Sequence, residues 1–154
     1  MLSEKEKHEI LEEAKQYPYL KAVCLDALKI VQKHRGWVSD EAVREVSDFI
    51  GAPAEEVEGV ATFYSRIYRY PVGRHVILLC DSLSCMIMGY ERLYDHLVNK
   101  LGIRFGETTP DGRFTLLPIS CLGDCDHAPS LMIDDELYHE LTIQKIDELL
   151  EKYQ

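Results

Sequence analysis

Val76-Ile-Leu-Leu79 runs directly into Cys80-Asp-Ser-Leu-Ser-Cys85, and Phe114-Thr-Leu-Leu117 leads through Pro118-Ile-Ser120 into Cys121-Leu-Gly-Asp-Cys125. Both segments are short apolar runs that end in a pair of cysteines. A continuous apolar run, with no alternation, is the pattern of a strand covered on both faces. Two such strands in one sheet would deliver their cysteines to the same end, so that four thiolates surround one point. Ligation by sulfur alone implies zinc or an iron–sulfur cluster. Structural zinc ribbons favour tight C-x2-C knuckles but permit C-x4-C. The wider C-x4-C and C-x3-C loops can hold two irons, each with two thiolates. Spacing leans towards iron–sulfur and leaves zinc and redox-active thiols open. Gly123 inside the second loop and Gly89 after the first allow backbone N–H groups to approach sulfur.

The surrounding pattern supports a sheet with helices packed on it. A helix is predicted from about Gly89 to Leu101, with Leu93, Leu97, Val98 and Leu101 as its stripe. Pro110-Asp-Gly112 is a turn. Leu131–Ile133 and Leu137–His139 form a hairpin across Asp134-Asp-Glu136, and Thr142 caps a last helix through Ile146, Leu149 and Leu150. This β-α-β, then β-β-α order is the minimal order of a thioredoxin-like domain.

The first 71 residues read as four helices. Ser3 caps a helix to about Tyr17, and Pro18 stops it. A second runs from about Leu20 to Arg35, with Gly36 closing it. Ser39 opens a third, which buries Val43, Val46, Phe49 and Ile50 and ends at Gly51. Pro53 fits the first helical position of a fourth, which runs to about Tyr64. The expected architecture is mixed (α+β or α/β): a four-helix bundle over residues 1–71, then a sheet domain over residues 72–154, with the break at Pro71-Val-Gly73.

Charge and composition narrow the function. The 154 residues carry a formal charge of −10, which argues against a nucleic-acid binder. Residues 1–71 hold 13 acids and 10 bases, while residues 72–154 hold 14 acids and 7 bases, so the excess lies in the cysteine-bearing half. No apolar run approaches the ~18 residues of a membrane span, and the charged start reads as neither signal nor transit peptide. Five cysteines make a disulfide framework a poor first reading. No Gly-rich dinucleotide loop follows a strand, and no Ser–His–Asp or Cys–His nucleophile is evident. Asp81, Asp124 and Asp126 lie beside or inside the cysteine loops. There they either disfavour reduction of an anionic cluster or are screened surface groups.

Four motifs in order resemble those of the 24 kDa (E) subunits of respiratory NADH:quinone oxidoreductase (complex I), a thioredoxin-like [2Fe–2S] ferredoxin family. They are Val57-Glu-Gly-Val-Ala-Thr-Phe-Tyr64, Cys80-Asp-Ser-Leu-Ser-Cys85, Thr109-Pro-Asp-Gly-Arg-Phe114 and Cys121-Leu-Gly-Asp-Cys125-Asp-His-Ala-Pro129. The resemblance extends from about residue 17 to the C-terminus. It implies a [2Fe–2S] cluster ligated by Cys80, Cys85, Cys121 and Cys125. It implies single-electron exchange with the FMN of a partner flavoprotein subunit that binds NADH, and a larger iron–sulfur subunit in the same complex. It also implies a cytoplasmic position, peripheral to the inner membrane and not inserted in it, with catalysis only as part of the complex. Related chains serve as diaphorase subunits of NAD-dependent hydrogenases and formate dehydrogenases. A zinc-stabilised interaction module is the alternative from a different class.

The remaining candidates have bland expectations. Cys24 is a buried filler on the second helix. Trp37, Phe63 and Tyr64 read as core or interface, with core preferred. Met86, Ile87 and Met88 are expected to shield the cluster. His127 is expected to supply surface polarity or a hydrogen bond near it. Pro129 is a candidate for a cis bond.

Overall fold

In the computed structural model, which describes residues 1–153, Ser3 opens helix α1 (Glu4–Ala14) with a complete capping box. The Ser3 hydroxyl accepts from the Glu6 amide, and the Glu6 carboxylate accepts from the Ser3 amide at 2.7 Å. Helix α1 stops short of the expected Tyr17. The second helix is in two parts, a 3₁₀ turn over Leu20–Val23 and then α2 (Cys24–Arg35), which Gly36 ends in the left-handed conformation. Helix α3 (Asp40–Ile50) is capped by the Ser39 side chain and ended by Gly51. Helix α4 spans Ala54–Phe63. Pro53 is its N-cap and not its first helical residue, because its ψ of 141° is extended.

These helices bury one shared cluster that includes Ile10, Leu28, Val31, Val43, Val46, Val57 and Ala61. Cys24 packs against that cluster and Trp37 is half-buried. Phe63 and Tyr64 do not join it. They lie at the C-terminal end of α4, with Phe63 80% exposed, and stack edge to face on each other. An aromatic in the last turn of a helix escapes the stripe that the earlier turns bury.

Chain contacts separate two compact units, Met1–Pro71 and Val72–Gln154. The second is built on a four-stranded sheet in the order β2-β1-β3-β4, with β1 at His75–Cys80, β2 at Phe114–Ile119, β3 at Leu131–Ile133 and β4 at Glu136–Tyr138. Strands β1 and β2 are parallel, and β3 and β4 are antiparallel to their neighbours. Helix α5 (Leu83–Ile87) lies within the first cysteine loop, α6 (Tyr90–Leu101) carries the chain from β1 towards β2, and α7 (Ile143–Lys152) follows the hairpin. Ile77, Leu79, Phe114, Leu116, Leu131 and Ile133 from the strands meet Leu93 and Leu97 from α6 and Ile146 and Leu150 from α7 in one core. Every residue of β1 after His75 is buried, as its unbroken apolar run requires.

Gly73 has a packing role. A Cβ there would sit 2.9 Å from the Gly112 carbonyl oxygen and 3.1 Å from the Arg113 carbonyl carbon, both main-chain atoms that cannot swing aside. Its amide also donates to Thr115 Oγ1 at 2.7 Å. Gly73→Ala is therefore expected to destabilise the second unit by about 1–3 kcal/mol, read as a lower urea midpoint. An unchanged midpoint would show that the strand start relaxes freely.

Candidate metal centre

The sheet itself assembles the cysteines. Cys80 is the last residue of β1 and stands in register with Ile119, the last residue of the parallel strand β2. Cys121 follows two residues later, so both chains leave the sheet at the same end. Strand β3 begins there too, since Leu131 pairs with Leu79 and the Cys80 amide donates to the Ser130 carbonyl at 3.2 Å. The Ala128–Pro129 peptide at this end is cis, as expected.

The four thiols form two pairs. Cys121 Sγ and Cys125 Sγ are 3.6 Å apart and exposed. Cys80 and Cys85 are each only 2% exposed and pack with Ala128 against Tyr90, Ile119 and Leu122. Around one tetrahedral zinc every sulfur–sulfur separation would be about 3.8 Å, given Zn–S near 2.3 Å. Among the described residues, the donor groups of three or more that fit within 4.8 Å include no cysteine. The sulfurs thus stand as two pairs, which is what a two-iron core taking two thiolates per iron requires.

The donor chemistry fits the same group. Burial, and then the neighbouring Cys80 thiol, push the Cys85 thiol up to about 11. The hydrogen bond with Cys121 raises Cys125 as well. Cys85 and Cys125 thus resist losing their protons, and a bound cationic iron core would reverse that. Hydrogen bonds already point at the sulfurs. The Gly123 amide donates to Cys121 Sγ at 3.3 Å, as the glycine in that loop predicts. The Ser130 backbone favours the Cys85 thiolate, and the Ser84 hydroxyl does the same for Cys125. The two serines escaped the sequence reading. Ser84 carried a signal, lying inside the C-x4-C loop, whereas Ser130 is brought in by strand pairing.

Met86, Ile87 and Met88 do not cover the thiols. They are 54%, 75% and 60% exposed, while Cys85 on the same short helix faces inward. The shielding comes from Ala128, Tyr90, Ile119 and Leu122.

His127 lies beside the second loop, in the 3₁₀ turn Cys125–His127. Its Nδ1 donates to Asp124 Oδ1 at 2.9 Å. That bond raises the His127 imidazole above its usual range, with Asp126 adding to the effect, and lowers the Asp124 carboxyl. His139 Nδ1 is 3.3 Å from Asp124 Oδ2.

A parallel β1–β2 pair with two thiol pairs at its C-terminal end, beside an antiparallel hairpin, is the frame of a thioredoxin-like iron–sulfur carrier. The model of the thioredoxin-like [2Fe–2S] ferredoxin family matches residues 10–154, and the chain belongs to that family. It is 51% identical over 153 residues to the E subunit of NADH-quinone oxidoreductase from Pseudomonas aeruginosa, covering 99% of this chain and 92% of that one. It is 53% identical over 152 residues to the protein of the same name from Escherichia coli, with the same coverage. Among solved structures, an NAD+-reducing [NiFe]-hydrogenase in its H2-reduced state aligns with a TM-score of 0.71 and 29% identity. That alignment covers 85% of this chain but only 22% of the hydrogenase chain.

Proposed function

We propose that the chain is the electron-transfer subunit of an NADH:quinone oxidoreductase. It carries one [2Fe–2S] cluster on Cys80, Cys85, Cys121 and Cys125, and exchanges single electrons with the FMN of a partner NADH-binding flavoprotein subunit. The observation that carries this reading is the pairing of the thiols at the common end of β1 and β2. When bound, the cluster supplies one-electron chemistry. The protein does the rest. Cys80 and Cys85 hold one side of the site behind Ala128 and Ile119, where water is excluded, and Cys121 and Cys125 present the other side to solvent. Donors from Gly123, Ser130 and Ser84 stabilise negative charge on sulfur. Asp81, Asp124 and Asp126 oppose further negative charge and so hold the potential down.

On this reading, residues 1–71 are a four-helix docking domain, since they hold no chemistry of their own, and residues 72–154 are the ferredoxin domain. The partners are the flavoprotein and a larger iron–sulfur subunit of the same complex, peripheral to the inner membrane on its cytoplasmic side. In keeping with a peripheral position, no helix among the described residues is long and apolar enough to cross a membrane. Identity above one half to E subunits, against 29% to the hydrogenase chain, favours the quinone-linked complex over a hydrogenase diaphorase. The purified chain is expected to be red-brown, with about two irons bound, and to co-purify with the flavoprotein. A colourless protein with one zinc would overturn the assignment.

A further inference from the structure

Asp124, His127 and His139 ligate no iron in the electron-transfer reading, yet the fold brings them together. Main-chain bonds do the joining. The Glu140 amide donates to the His127 carbonyl at 2.8 Å, and the Leu141 amide to the Pro129 carbonyl at 3.1 Å. The segment after β4 is thereby stitched to the turn that carries Cys125. Both imidazoles aim Nδ1 at one carboxylate, His127 at Oδ1 (2.9 Å) and His139 at Oδ2 (3.3 Å). Their rings lie 5.0 Å apart, and one donor atom from each of the three residues falls within 4.8 Å of the others. The Asp124 side chain is largely covered, with the Ser130 hydroxyl at 3.4 Å to orient it. Asp126 Oδ1, 3.4 Å from His127 Nδ1, brings a second carboxylate to the edge.

We propose that Asp124, His127 and His139 form a binding site for a divalent transition-metal ion, zinc being the representative, separate from the four thiols. Nitrogen and oxygen ligands about 2.0–2.1 Å from a tetrahedral zinc lie about 3.3 Å from one another, close to the spacings already set between the carboxylate and each imidazole. Two imidazoles with one carboxylate suit zinc, nickel or copper. They do not suit calcium or magnesium, which take oxygen ligands. The nine acids in residues 121–154, set against Lys145 and Lys152 alone, attract any cation to this end of the chain. A bound ion would clamp the Cys125 turn to the segment after β4.

The site is tested on the full chain with its cluster loaded, so that the thiols are occupied, by calorimetric titration with zinc. One zinc per chain is expected, with micromolar or tighter affinity. His139→Ala is expected to bind at least about tenfold more weakly, because loss of a ligand costs no less than loss of an outer-shell partner. The cluster's visible absorption should be unchanged, since the His139 side chain is half exposed. His127→Gln is a second variant with the same expectation. Cobalt in place of zinc should show a nitrogen–oxygen ligand field with no thiolate charge transfer. No zinc binding, equal binding by the wild type and both variants, or a thiolate band on cobalt would each overturn the proposal.

Discussion

Cys121→Ala is expected to bring the iron content of the purified chain to background and abolish its visible absorption, while the second unit stays folded. Cys121 is the cysteine that separates ligation from packing most cleanly. It is exposed, and among the described residues its sulfur is hydrogen-bonded to Cys125 Sγ at 3.6 Å and to the Gly123 amide at 3.3 Å. Removing it therefore buries no unpaired group and opens no cavity. Cys85→Ala should also lose the cluster, but Cys85 is buried among Cys80 and Ala128, so its loss mixes ligation with packing. The pairing sharpens the expectation. With one thiolate gone from the Cys121–Cys125 pair, one iron keeps a single cysteine, and residues 72–154 hold no further cysteine to replace it. Iron content, visible absorption and far-ultraviolet circular dichroism together decide the matter. A variant with full iron content and an unchanged spectrum would remove Cys121 from the ligand set.

What the sequence revealed about this centre, and what it hid, divides along local and non-local lines. The apolar runs before Cys80 and Cys121 made the strands legible, and parallel pairing then placed the cysteines at one end. Ser3, Ser39, Gly36, Gly51 and Thr142 gave the helix boundaries, because caps act within a few residues of chain. Helix α5 was not legible: five residues give no periodic stripe, and Leu83-Ser-Cys-Met-Ile87 reads equally as loop. The direction of Met86–Met88 was lost with it, since which side of so short a helix faces the thiols depends on where α5 packs. Phe63 and Tyr64 were misjudged because hydrophobicity says that a ring prefers cover, and not whether its own unit supplies any. The meeting of His127 with His139 was invisible for a different reason. It depends on the Glu140-to-His127 main-chain bond, a tertiary contact that no spacing rule encodes.

Arg35→Ala is expected to weaken the helical unit by about 3 kcal/mol or more, the cost of leaving a buried carboxylate without its partner. Glu6 is only 2% exposed. Arg35 grips it with two bonds, Nε at 2.7 Å and Nη2 at 3.0 Å, and reaches Glu45 with Nη2 at 2.8 Å. The Arg35 guanidinium is the main reason the Glu6 carboxyl falls from 4.5 to about 2; the Ser3 amide assists, and burial opposes. A carboxyl with a depressed folded value stabilises the fold above its unfolded value and loses that contribution as pH falls. The helical unit should therefore weaken between about pH 4.5 and pH 2, by about 3 kcal/mol for this group. Trp37 is the chain's one tryptophan and sits half-buried in this unit, so its fluorescence follows the helices while cluster absorption follows the sheet. In urea titrations at pH 7 the Trp37 transition should shift down in Arg35→Ala. In the wild type it should also fall between pH 4.5 and pH 2. Glu6→Gln, which cannot ionise, should lose part of the neutral-pH stability and flatten the acid dependence. If Arg35→Ala unfolds at the wild-type midpoint, the ion pair only offsets the cost of its own burial. The helices would then owe their stability to the apolar cluster around Leu28 and Val46 alone.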